Sequence, residues 1–165
     1  MVLKLYSSLF FGPGGHAGVV ALVLAEKQVP FEDIPVNAEV YKHKDAEHLE
    51  RQPFGQIPVL DDNGFILYET RAICRYIVEK YSEKGPSLLP GPSFEERALF
   101  EQAISVEIIN FQGAVVPIFV ASLKKKRRGL AMDVAAVEAG VEILVQRLEV
   151  YEKILSRQKF VAGDE

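Results

Sequence analysis

One cysteine, Cys74, serves all 165 residues, and no serine, threonine or cysteine stands between Ser8 and Thr70. A lone cysteine excludes an internal disulfide and fits a reducing compartment. The second gap leaves a long stretch of the amino-terminal half without an aliphatic hydroxyl or a thiol. No basic segment precedes an apolar core in the opening Met-Val-Leu-Lys-Leu-Tyr, so no signal peptide is expected. No apolar run is expected to reach the ~20 residues that cross a bilayer. The net charge of −4 gives no general attraction to nucleic acid or anionic membrane. A cytoplasmic protein is the expectation. Internal repeats and low-complexity segments are lacking too.

What is present suits a folded chain. Hydrophobic residues make up 48% and charged ones 25%, with room for one or two small domains and a sizeable core. Residues 2–6 alternate briefly and read as a buried strand. A Gly-Pro-Gly-Gly loop follows, and Ala17, Val20, Ala21 and Leu24 recur at helical spacing as far as about Lys27. Residues 31–36 form a second strand, which Pro35 assigns to a sheet edge. The polar stretch 37–52 holds a short irregular helix. Strands are expected over 57–60 and 65–68, joined by Asp-Asp-Asn-Gly, with a helix over 69–81. Cys74, among Ala72, Ile73 and Ile77, has the setting of a buried, inert thiol. The order β-α-β-α-β-β-α points to a thioredoxin-like domain.

Lys84-Gly-Pro-Ser-Leu-Leu-Pro-Gly-Pro-Ser93 marks a linker. Domains are therefore drawn at 1–82 and 93–165, joined by 83–92. The second is helical: Ser93 with Glu95 and Glu96 starts a helix that runs to about Leu123, kinked by Pro117. The basic run 124–128 reads as a solvated helix end, with a nucleic-acid patch or nuclear address as the alternative. Val134, Val137, Val141, Leu144, Leu148, Tyr151 and Leu155 make one stripe facing a partner helix.

The chemistry lies in Gln52-Pro-Phe-Gly-Gln-Ile-Pro-Val-Leu60 and Leu67-Tyr-Glu-Thr-Arg-Ala-Ile73. Pro58 lacks an N–H, and an X-Pro bond takes the cis form far more readily than other peptides. Such a backbone can pair with an extended peptide as an added strand. Glu69-Thr70 opens a helix, either as a cap or as an anion site. Together these motifs resemble the glutathione-site half of a cytosolic glutathione transferase, of the phi class or a fungal relative of it, and the resemblance extends over nearly the whole chain. It implies a thioredoxin-like amino-terminal domain followed by a helical carboxy-terminal domain, here partial, because the helices expected after residues 160–165 do not follow.

The resemblance implies a site as well. Thr70 and the amides of its helix would take the γ-glutamyl carboxylate, and Glu69 the amine. Ile57, next to Pro58, would take the cysteinyl main chain. His43, Lys44 and Gln56 would meet the glycyl carboxylate. Phi-like enzymes place a serine at the start of the first helix to stabilise the thiolate, and that position aligns with Gly14. The remaining candidates for the catalytic role are Ser8, His16 and the backbone of Gly14 and Gly15, although His16 also reads as a plain solvent-facing residue. Glutathione is implied as co-substrate, with no metal, and small apolar electrophiles as partners held beside the helical domain. Conjugation is expected to be slow. A non-catalytic protein carrying glutathione or apolar ligands, and a regulatory module using the fold without glutathione, are the alternatives. A homodimer is implied, with Phe54 and the helix after Ser93 at the contact, Phe54 being otherwise a core residue.

Overall fold

The computed structural model describes residues 2–8, 15–37, 42–125 and 129–164. They separate into two compact units, Met1–Leu89 and Pro90–Glu165. The first contains β1 (Leu3–Ser8), α1 (His16–Glu26), β2 (Phe31–Val36), a 3-10 turn (Lys42–Lys44), α2 (Ala46–Arg51), β3 (Val59–Asp62), β4 (Phe65–Tyr68) and α3 (Thr70–Lys80). The sheet order is β2-β1-β3-β4. β1 runs parallel to β2 and antiparallel to β3, and β3 antiparallel to β4. This is the thioredoxin-like arrangement expected, with Pro35 on edge strand β2. β3 starts later than the sequence suggests: Val59, opposite Tyr6, is its first residue paired with β1, and the strand continues to Asp62.

The core follows the helical and strand periodicities. Leu3 and Leu5 of β1 and Leu60 of β3 pack with Val20 and Leu24 of α1 and with Ile73 and Ile77 of α3. Cys74 is half-buried, and burial pushes its thiol up to about 11, so it stays protonated and unreactive near neutrality. Lys27 is fully buried. Its ammonium donates to the carbonyl of Pro86 at 2.9 Å and of Ser82 at 3.5 Å, tying the end of α1 to the segment after α3. At the far end of α3, Lys80 and Tyr76 both donate to the buried Asp62 carboxylate of β3, Tyr76 at 2.7 Å.

The second unit is helical. Ser93 and Glu96 form a reciprocal capping box that starts α4 (Phe94–Val106), satisfying two amide donors that the helix leaves open. A π-helical turn (Glu107–Gln112), α5 (Gly113–Phe119) and a second π-helical turn (Val120–Lys124) continue it. Pro117, which cannot donate to Gly113, lies between the two wide turns. Residues 126–128 of the basic run lie outside the described residues. Phe94–Leu123 is also, by length and composition, long and apolar enough to cross a membrane, contrary to the sequence expectation. Its apolar residues are interleaved with Gln, Asn and Ser, so no unbroken run is visible. Yet Glu107 is the single charge between Gln102 and Leu123. Asp133 caps the last helix, α6 (Val134–Leu155), through the Ala136 N–H. α6 packs on α5 and the π-helical turn after it through small residues: Gly140 is buried against Ile118, and Ala114 of α5 and Ala121 of that turn are buried as well. Of the predicted stripe, Val137, Leu144 and Tyr151 are half-buried, while Val134, Val141, Leu148 and Leu155 are exposed.

Candidate functional site

Strand register gathers the candidate residues at one end of the sheet. Ser8 is the last residue of β1 and faces Val36, the last of β2. Across the other edge of β1, Tyr6 faces Val59, which in turn faces Tyr68. Ser8, Ile57-Pro58 and Glu69-Thr70 therefore lie together where β1 and β4 end and β3 begins. His43 and Lys44 follow β2 from the same end. Gly15 and His16 open α1, which follows β1. Gly14 and the loop between β1 and Gly15 lie outside the described residues.

The Gln52–Gln56 segment is held by α2 and the turn before it. The Gly55 N–H donates to the Gln52 carbonyl at 2.8 Å, and the Lys44 ammonium donates to the Phe54 carbonyl at 2.7 Å. Gly55 has φ +59, and a Cβ there would stand 2.7 Å from the His43 carbonyl oxygen. Only glycine fits both the angle and the space. His43 is half-buried beside it, while Gln56 is exposed, Ile57 half-buried and Pro58 buried. The Ile57–Pro58 peptide is cis.

Glu69 precedes α3 at φ 74, ψ 114, a conformation that a residue bearing a Cβ rarely adopts. Its side chain makes no capping bond to the helix. Among the described residues its exposed carboxylate has no hydrogen-bond or ion-pair partner, so the helix does not use it as a cap. Thr70 beside it is buried. The first amides of the 11-residue helix α3 point out of its amino end, where partial positive charge favours an anion. One carboxylate, one hydroxyl and a row of amides thus surround a spot suited to an amino acid's paired charges.

The first helix offers less. Gly15, its cap residue, has φ 90 and ψ −178 with no side-chain cap bond, in a region only glycine occupies readily. His16 is exposed on the first turn, and Ser8 is buried at the end of β1. Among the described residues no cluster of three metal-ligating side chains occurs.

Two neighbours of the site escaped the sequence reading. His48 and Gln52 are both buried, in a stretch whose polarity gave no hint of burial. The four-residue spacing that stacks them on adjacent turns was visible, but nothing marked their side chains as inward.

Residues 1–79 match the glutathione S-transferase N-terminal domain family. The whole chain is 39% identical to glutathione S-transferase hmp2 of Hypomyces subiculosus, covering 76% of that protein. It is 38% identical, again over its whole length, to glutathione S-transferase F12 of Arabidopsis thaliana, covering 75% of it. Among solved structures, glutathione transferase F7 of Populus trichocarpa aligns with a TM-score of 0.89 at 34% identity, over 99% of this chain and 76% of its own. Maize glutathione S-transferase I, solved with an atrazine–glutathione conjugate, aligns at 0.84 and 35% identity, over 99% and 74%. The chain thus spans about three quarters of the length of these relatives.

Proposed function

The chain belongs to the glutathione S-transferase family, in its phi class, and on that premise we propose how its own residues bind glutathione and activate its thiol. The protein is a glutathione transferase, with glutathione as co-substrate and small electrophiles as the other. Glu69 takes the γ-glutamyl amine, while Thr70 and the first amides of α3 take its carboxylate. The Ile57 main chain, before Pro58, pairs with the cysteinyl unit as an added strand. His43, Lys44 and Gln56 meet the glycyl carboxylate. The observation that carries this reading is the convergence of Ile57-Pro58 and Glu69-Thr70 at one sheet end, with the Glu69 carboxylate left unused by the fold.

The thiol then gives its proton to solvent water, its sulfur bonds to the electrophilic carbon, and the leaving group departs with the bonding pair. The residues that favour the thiolate are the amides at the start of α1, since helix amino ends lower thiol pKa, with Ser8 or His16 as the side-chain candidates. A hydroxyl hydrogen bond to a thiolate contributes about 1.5–3 kcal/mol. Its absence at Gly14 and Gly15 therefore raises the bound thiol's pKa by about one to two units. Conjugation of aromatic electrophiles is correspondingly slow. That weak activation also supports a second role in carrying glutathione or apolar ligands.

The proposed glutathione-binding domain is 1–82, with a linker over 83–92 and the helical domain over 93–165. The assembly is a homodimer in which Phe54 and the start of α4 make contact. Phe54 is 65% exposed, its ring edge-on to Tyr68 at 6.3 Å, so it is free for a partner rather than part of a core. The lone, unreactive Cys74 supports a cytoplasmic setting.

Calorimetry with millimolar glutathione is expected to give saturable binding, and absence of heat across that range would sink the reading. For the thiol, Gly14→Ser is expected to raise turnover of a chloronitrobenzene substrate about tenfold, within the span of one charged hydrogen bond. Ser8→Ala is expected to change it little. Near-complete loss in Ser8→Ala would make Ser8 the working hydroxyl instead.

A further inference from the structure

We infer that His48 is a positioning residue of the glutathione site: it clamps the Gln52–Gln56 loop at both ends and thereby aims the Ile57 N–H. The inference rests on the glutathione-site reading above. His48 is buried in α2. Its own carbonyl accepts from the Gln52 N–H at 2.9 Å, which fixes the start of the loop. Its ring Nε2 lies 2.8 Å from the Gln56 carbonyl oxygen, which fixes the end. A carbonyl oxygen can only accept, so Nε2 carries the proton and donates.

The second contact has a consequence one bond away. The Gln56 carbonyl and the Ile57 N–H belong to one planar peptide unit, and the cis peptide is the next one, Ile57–Pro58. In a trans unit the C=O and N–H point in opposite directions. Holding the oxygen on the α2 side therefore turns the Ile57 N–H to the opposite side and stops the unit from rotating. A donor on the oxygen also polarises the amide, strengthening any bond its N–H then gives. Lys44 on the Phe54 carbonyl and the close fit at Gly55 brace the middle of the same loop. His48 touches no substrate in this scheme. It acts through the Ile57 amide.

The matched pair His48→Met and His48→Gln separates donor from bulk, because Met and Gln are alike in length and only Gln offers an amide donor near the position of Nε2. The expected result for His48→Met is a rise of about tenfold in both Kd and KM for glutathione, one lost hydrogen bond's worth. Its kcat and electrophile KM should stay within about twofold. His48→Gln should recover most of the glutathione affinity. Equal affinity in His48→Met and the parent, or equal damage in both variants, overturns the inference while leaving the glutathione site standing. A parent that binds no glutathione overturns both. A long-range proton–nitrogen NMR correlation on the parent protein does not depend on either variant folding. It should find His48 protonated on Nε2, and a proton on Nδ1 with Nε2 bare contradicts the clamp.

Discussion

Glu69 is the residue on which binding and stability come apart. Its backbone has φ 74, a conformation that costs a residue with a Cβ about 1–3 kcal/mol. Its carboxylate, without an intramolecular partner among the described residues, contributes nothing visible to the fold in return. Glu69→Ala is therefore expected to leave the unfolding free energy within about 0.5 kcal/mol, as surface changes do. Its glutathione affinity should fall at least about tenfold, the loss of one charged hydrogen bond. Calorimetry and chemical denaturation on the same sample check both halves. Unchanged affinity would favour a module that uses the fold without glutathione. At this scale the sequence is informative where chemistry has a motif, as in Gln-Ile-Pro and Glu-Thr. It was silent on His48, Gln52 and Lys27, because a polar side chain buried by neighbours distant in sequence leaves no local periodic trace.

Among the elements, α3 carries at one end the amides proposed to take the γ-glutamyl carboxylate and is anchored at the other. Tyr76 and Lys80 hold it to Asp62 of β3, and Asn63 donates to the same carboxylate at 2.8 Å. Burial pushes the Asp62 carboxyl up, but the bonds from Lys80, Tyr76 and Asn63 outweigh it and hold the group below its usual range. A depressed carboxyl stabilises the fold fully above its unfolded pKa of ~3.9 and loses that contribution as the pH falls through and beneath that value. Asp62→Asn is thus expected to cost about 1–3 kcal/mol at neutral pH. It should also flatten the acid side of the stability curve, as measured by denaturation at a series of pH values. A variant with the parent's acid slope would remove Asp62 from the account. Element order was legible because strand and helix periodicities differ and Pro and Gly punctuate them. The start of β3 was not, since Ile57 is apolar like the strand it precedes and only pairing with β1 shows where the ladder begins. The π-helical turns beside Pro117 were equally hidden: they redistribute backbone bonds without altering the apolar pattern.

The whole molecule shows an uneven division of burial. In the first unit, seven side chains from β1, β3, α1 and α3 close a core. In the second, Ile109, Leu123, Val134, Ile143 and Val150 are all at least half exposed, and the buried contacts are small residues such as Ala114, Ala121 and Gly140. Apolar surface left in water forgoes about 25 cal/mol per Å² relative to burial, and patches of this kind favour association. Light scattering at micromolar concentration is expected to give a mass of two chains, with a hydrophobic dye bound by the helical unit. A dye-negative monomer would contradict both the dimer and the bareness of these helices. The sequence stripe on α6 was real as a pattern, but a pattern names the face and not the partner that covers it.

That glutathione lies across Ile57 and the start of α3 is tested most directly by titrating the isotope-labelled protein with glutathione and following each backbone amide. The account predicts saturable shifts in the millimolar range or below, largest at Ile57, Thr70 and the next amides of α3. Shifts that never saturate, or that saturate elsewhere while Ile57 and Thr70 stay still, would contradict it.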